Sequence, residues 1–161
     1  MKENSFENNN NIEMMKMSPW DFDQSDNGWR KFEEAKDYLR ASQTIKEYID
    51  KNKALMQEGN VLQILNFHLG QEFAQAGELY YPQAIIEGFN NSFQNNKEEW
   101  NAYVSATIGF LENNIKKIED AIKIVKSSVR EEKEDGNMDA LLKFKNALEI
   151  GERDYRRCML G

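Results

Sequence analysis

Three kinds of side chain in this 161-residue sequence bear on chemistry: a set of spaced acids, one histidine and one cysteine. The acids read Glu33-Glu34-x-x-Asp37, followed thirteen residues after Glu34 by Glu47-x-x-Asp50. A spacing of three on a helix puts two carboxylates on one face. Facing pairs from antiparallel helices would supply the oxygen ligands that Mg²⁺ takes. The competing reading is a solvated charged face. Tyr48 and Ile49, between Glu47 and Asp50, suit a core and turn the acids outward, beside Arg30, Lys31, Lys36 and Arg40. The lone histidine, His68, excludes a di-iron site built on two Glu-x-x-His pairs and leaves structural zinc short of ligands. A packing role for it competes with ligand work. Cys158 stands beside Arg153, Arg156 and Arg157, whose charge would lower a thiol pKa; the alternative is an inert thiol. No phosphate-cradling GxxxxGK[ST] or GxGxxG run occurs in the sequence.

The elements that position these groups are helical. From Trp29 onward apolar residues recur at helical steps, through Phe32, Ala35, Leu39, Ile45, Tyr48 and Ile49, with no sustained alternation that would mark strands. Breaks fall at Glu58-Gly59-Asn60, Ala76-Gly77, Asn90 to Asn96, Glu112-Asn113-Asn114 and Asp135-Gly136-Asn137. Pro82 sits just inside a helix beginning near Tyr81, where its missing N–H costs nothing. Residues 1–18, with Asn8 to Asn11 in a row, bury too little apolar area to offset ordering and read as a disordered tail. Residues 19–161 read as one helical domain, with Trp20 and Phe22 packing back as an N-terminal clasp.

Composition narrows the partners. Lys+Arg number 21 against 28 Asp+Glu, a formal charge of −7, with a pI near 4.9, 40% hydrophobic residues and a mean hydropathy of −0.80. That balance disfavours nucleic acid, whose binders need a basic stripe. No window holds 18 apolar residues, so no membrane span is expected. The first residues, MKENSFENNNNIEMM, lack the apolar run of a signal peptide, and one cysteine forms no internal disulfide. The expectation is a cytoplasmic protein.

The chain also echoes itself. Phe73 and Phe110, Ala84 and Ala121, and Ile85 and Ile122 each stand 37 positions apart, a period that marks stacked supersecondary units. An earlier run, Phe32-x8-Ala41-x3-Ile45-x2-Tyr48, resembles the tetratricopeptide repeat, in which an aromatic on one helix meets a small residue on the next. The two later units are two residues longer at the inter-helix turn. NFHLGQEFAQAG and EEWNAYVSATIGFL are similar to segments of short bacterial tetratricopeptide-like proteins. The resemblance spans about residues 28–128 and implies an all-α stack of antiparallel hairpins, six to seven helices in all. An ordinary helical bundle is the other reading.

In such a stack the first helix of each hairpin lines a concave groove. The resemblance implies groove positions Phe67, Gln71 and Gln75 in one unit and Asn101, Val104, Ile108 and Glu112 in the next, with His68 and Trp100 close by. An apolar floor with amide and carboxylate groups suits a protein or peptide partner, and the acidic charge favours a basic one. The expected function is therefore a non-enzymatic binding module without a cofactor; the open end of a solenoid would also permit a homodimer. The alternative is an enzyme. Glu33, Glu34, Asp37, Glu47 and Asp50 resemble the EExxE…ExxD pattern of all-α nucleotide pyrophosphohydrolases, which implies Mg²⁺; here Asp37 replaces the last Glu of the first half. A third class is an inhibitor or immunity-type protein masking a basic partner.

Overall fold

The computed structural model describes residues 11–77, 81–128 and 136–160. Every regular element among them is helical. Residues 11–15 are helical, and Met14 and Met15 are buried. Then come α1 (Pro19–Gln24), α2 (Arg30–Glu34) and α3 (Tyr38–Asn52), with a 3₁₀ turn at Lys53–Met56. The body follows as α4 (Val61–Gly77), α5 (Pro82–Asn90), α6 (Glu98–Leu111), α7 (Ile115–Ser128), α8 (Gly136–Glu149) and α9 (Tyr155–Leu160).

Local chemistry sets most of these boundaries. Ser18 Oγ accepts from the Asp21 amide at 3.2 Å, and Pro19 opens α1. Lys36 adopts φ 59 and ends α2, and Asp37 then caps α3 by accepting from the Arg40 amide at 3.2 Å. Pro82 opens α5, as its sequence context predicts. Asn114 caps α7 through the Lys117 amide at 3.3 Å. Gly151, at φ 85, separates α8 from α9.

Packing divides into two cores that meet on α4. Phe22, Trp29, Ile45, Tyr48, Met56 and Leu65 form the N-terminal one, with Phe22 stacked on the Tyr48 ring at 3.8 Å between centroids. The second joins α4 to α9 and includes Phe67, Phe89, Val104, Phe110, Phe144 and Tyr155. Leu69 packs against both. Each such side chain removed from water contributes about 1.5–3 kcal/mol. Helices α3 and α5 both pack on α4, α6 pairs with α7, α8 packs on both, and α9 bridges α8 back to α4.

Several expectations change. The described residues hold nine α-helices besides residues 11–15, more than six or seven. The helical pattern from Trp29 is cut at Ala35–Asp37, and the C-terminal stretch at Ile150–Asp154, because caps and left-handed residues override continuing periodicity. Of the expected disordered tail, residues 1–10 lie outside the described residues. Residues 11–18 are placed, with the Tyr48 hydroxyl donating to the Met17 carbonyl at 2.6 Å. In the clasp, Phe22 is buried but Trp20 is exposed.

At the 37-residue offset, Phe73 and Phe110 are both buried, as are Ile85 and Ile122, but Ala121 is buried and Ala84 only half so. The close approach of α4 and α5 is made instead by Gly70 and Gly88. Ala121→Leu is therefore expected to cost about 1–3 kcal/mol in urea unfolding through overpacking. Ala84→Leu should stay within about 0.5 kcal/mol.

Candidate functional site

Helix α4 carries an unusual load: His68, Gln71, Glu72 and Gln75, at positions i, i+3, i+4 and i+7, form one polar stripe on a face that the rest of the chain covers. Over its first turn lies the N-terminal clasp. Asp23, fully buried, places Oδ1 2.8 Å from His68 Nδ1 and accepts from Trp29 Nε1 at 3.2 Å. Gln24 donates to its other oxygen, and Arg30 Nε donates to its backbone carbonyl. Burial would push the Asp23 carboxyl up. The hydrogen bond and charge of His68, the Gln24 bond and the Arg30 charge outweigh it and hold Asp23 below the usual carboxylate range. An ionised Asp23 needs a proton on His68 Nδ1, which fixes the tautomer of a neutral ring.

Glu72, one turn on, is 1% exposed, and its Oε2 finds no hydrogen-bond donor among the described residues. Burial first, then the charge and hydrogen bond of Glu33 on α2, push its carboxyl up to about 8 against the pull of Arg30. At neutral pH Glu72 therefore keeps its proton. Farther along, Gln71 Nε2 donates to the Tyr155 hydroxyl of α9 at 3.3 Å. The acid–histidine pair has the composition of a general base. Its geometry is that of a clamp, with Asp23 sealed from solvent and the His68 ring packed on Trp29 at 5.1 Å.

The expected groove positions are buried or half-buried, Glu112 excepted. Phe67 packs at 5.0–5.2 Å against Phe89, Trp100 and Tyr103. Trp100 Nε1 donates to the Ser92 carbonyl at 2.7 Å, and the Asn101 amide exchanges two hydrogen bonds with the Gln94 backbone at 2.7 and 2.8 Å. Val104 and Gln75 are buried and Ile108 half-buried, while Glu112 reaches outward to Lys117 at 2.7 Å. The structure gathers Phe67 with Trp100, and His68 with Asp23. It does not gather the nine positions on one open surface.

The acidic set is dispersed as well. Among the described residues no group of three or more His, Cys, Asp or Glu is placed to hold a metal. The reason is the break at Lys36: Asp37 lies beyond α2 as the α3 cap, so the spacing from Glu34 crosses two helices. Glu33 turns to Glu72, Glu34 is exposed, and Glu47 pairs with Lys51 at 2.7 Å and accepts from Asn11 at 3.1 Å. The Cys158 thiol is half-buried, and burial pushes it up to about 11 despite Lys143, so the nearby arginines do not activate it.

An open cleft exists elsewhere, on another side of α4. About 430 Å³ in volume, it runs between α3 (Lys46, Ile49, Asp50, Lys53), α4 (Leu62, Gln63, Asn66, Leu69, Phe73) and α5 (Ala84, Glu87, Gly88, Asn91). The size is within the range of ligand sites, about 300–1,000 Å³. Leu62, Leu69 and Phe73 give it apolar patches, Gln63, Asn66 and Asn91 supply amides, and both walls carry charge. Of the candidate site residues named from the sequence, Asp50 lines it, as do Phe73 and Ala84 of the 37-residue echo. Its helical stripes were present in the sequence, but nothing there told which face of α4 the termini would cover. Comparison of the chain with family models, curated proteins and solved structures returns no match.

Proposed function

We propose that this chain is a non-enzymatic binding module, a divergent tetratricopeptide-like stack that holds a protein or peptide segment in the cleft between α3, α4 and α5. The observation that carries the reading is the cleft itself: a trough of about 430 Å³ with amides on its floor and charged walls. The polar stripe on another face of α4 is engaged internally, by Asp23 at His68 and by Tyr155 at Gln71. Three neighbouring helices that jointly line a cleft form a surface for an elongated ligand. A formal charge of −7 speeds encounter with a basic partner. The dispersal of Glu33, Glu34, Asp37, Glu47 and Asp50 leaves the pyrophosphohydrolase reading without an assembled site.

The test is retention on the immobilised protein. A partner retained from lysate should be released by Ala84→Arg, which fills the cleft, and kept by Glu112→Ala, whose side chain is on the outer surface. Mg²⁺ with a nucleoside triphosphate should leave the melting temperature unchanged. Retention indifferent to Ala84→Arg, or a nucleotide-dependent rise in melting temperature lost in Glu47→Gln, would overturn the proposal.

A further inference from the structure

Away from that cleft and independent of its occupant, we infer that residues 30–37, α2 with its C-terminal turn, form a strap over the Glu72 carboxyl. The strap opens when that carboxyl loses its proton, while the segments on either side stay in place.

Packing singles out this segment. Helix α2 is five residues long and contributes no buried side chain, and Glu34, Ala35, Lys36 and Asp37 are exposed. Its one large apolar group, Phe32, is half-buried, with the Arg40 guanidinium 4.5 Å and the Lys31 amine 5.1 Å from the ring centroid. Trp29 before it and Tyr38 after it are buried. The segment is thus fixed at both ends and weakly held between them, the usual condition for local opening.

Beneath it lies an acid with no outlet for a charge. Glu72 is 1% exposed, and its Oε2 has no donor among the described residues. Burial, then the charge of Glu33 on α2, push its carboxyl up to about 8 from an ordinary 4.5. Loss of the proton would set two carboxylates against each other across the α2–α4 contact. Arg30 pulls the other way, but its Nε is engaged by the Asp23 carbonyl. From α9 comes the Tyr155 hydroxyl, which burial keeps neutral and which accepts from Gln71. One turn back on α4 stands His68, bonded to Asp23 of α1. The charged groups that α3 and α5 bring beside α4 at the cleft are Lys46, Asp50, Lys53 and Glu87, on another side of the helix.

Two covers could lift to let water reach the charge. Tyr155 of α9 is fully buried, with the rings of Phe89, Phe110 and Phe144 at 6.1–6.5 Å, so lifting α9 opens the larger core. Lifting α2 surrenders only the half-buried Phe32. The strap therefore moves and α9 stays. A closed strap holds a proton that an open one releases. The opening constant accordingly rises about tenfold per pH unit between the ordinary value of 4.5 and about 8, and is level on either side.

The experiment is hydrogen exchange of single amides in the full chain, followed by NMR from about pH 5.5 to 8. The reporters are the Ala35 and Asp37 amides, which donate to the Lys31 and Phe32 carbonyls at 3.2 and 2.8 Å, with the Phe110 amide inside α6 as reference. The strap amides should be less protected than Phe110 at every pH and lose about tenfold in protection factor per unit. Glu72→Gln should abolish that slope with His68 and Asp23 still in place. Glu33→Gln, which removes the like charge but not the burial, should end the slope at a lower pH. Strap amides as protected as Phe110 would mean that only global unfolding bares Glu72. A flat profile in the parent, a slope that survives Glu72→Gln, or a Glu33→Gln profile identical to the parent's would each overturn the strap as well.

Discussion

Gly88→Ala is expected to lower the unfolding free energy by about 3 kcal/mol, a drop of roughly 6–12 °C in melting temperature for a chain of this size. A Cβ at Gly88 would stand 2.7 Å from the Gly70 amide nitrogen and 2.8 Å from the Asn66 carbonyl oxygen. Both obstacles are backbone atoms of α4, so no rotamer change relieves them and the two helices must move apart. That movement opens space around Leu65, Phe67, Ile85 and Phe89, all buried, and breaks dispersion contacts on both sides. Gly70→Ala is the graded control. The atoms nearest its Cβ would be Phe89 ring carbons, at 3.2 Å, and a ring can give by tenths of an ångström. Its loss should be smaller, about 1 kcal/mol. Because Gly88 also lines the cleft, Gly88→Ala should weaken binding more than Gly70→Ala does. Equal melting temperatures for the two variants, by calorimetry, would rule out this crossing as the tight point of the fold.

Both glycines were visible in the sequence, but a glycine inside a helical pattern reads as a break as readily as a crossing. What sets the contact is where α5 meets α4, a tertiary fact. The same distinction runs through the rest of the molecule. Breaks at Gly59, Gly77 and Asn113 were legible because turn chemistry is local, and the end at Asp37 was missed because Lys36 reaches φ 59 without a glycine. The acidic pattern failed for that reason: its spacing presumes one continuous helix. His68 stood out by being alone, yet its partner Asp23 lies 45 positions away, and no local pattern links them. The groove positions on α4, Phe67, Gln71 and Gln75, read from the sequence as an apolar floor with amide groups. Their closure by α1, α2 and α9 depends on the two chain ends folding back, which hydrophobic periodicity does not encode.

The buried acid beneath that cover makes the second large effect a matter of pH. Glu72 has its carboxyl pushed up to about 8 in the folded chain, chiefly by burial, against an ordinary value of 4.5. The folded state therefore holds a proton that the unfolded chain releases near pH 4.5. The favourable contribution is complete below that pH, declines as pH rises through the window to about 8, and is gone above it. Asp23 has the opposite sign, since its carboxyl is held low: its contribution is present above an ordinary value of 3.8 and lost as pH falls through the folded value. Between them the two acids favour mildly acidic conditions, with loss toward alkaline pH. Glu72→Gln removes the ionisation while keeping the shape and a donor toward Glu33. It should match the parent near pH 5 within about 1 kcal/mol and exceed it by about 3–5 kcal/mol at pH 9. Asp23→Asn should instead weaken the protein across neutral pH, because His68, Trp29 and Arg30 all face the carboxylate it replaces. Chemical denaturation at intervals from pH 4 to 9 separates the two. Parallel stability curves for the parent and Glu72→Gln would mean that Glu72 ionises in the folded chain as it does in the unfolded one.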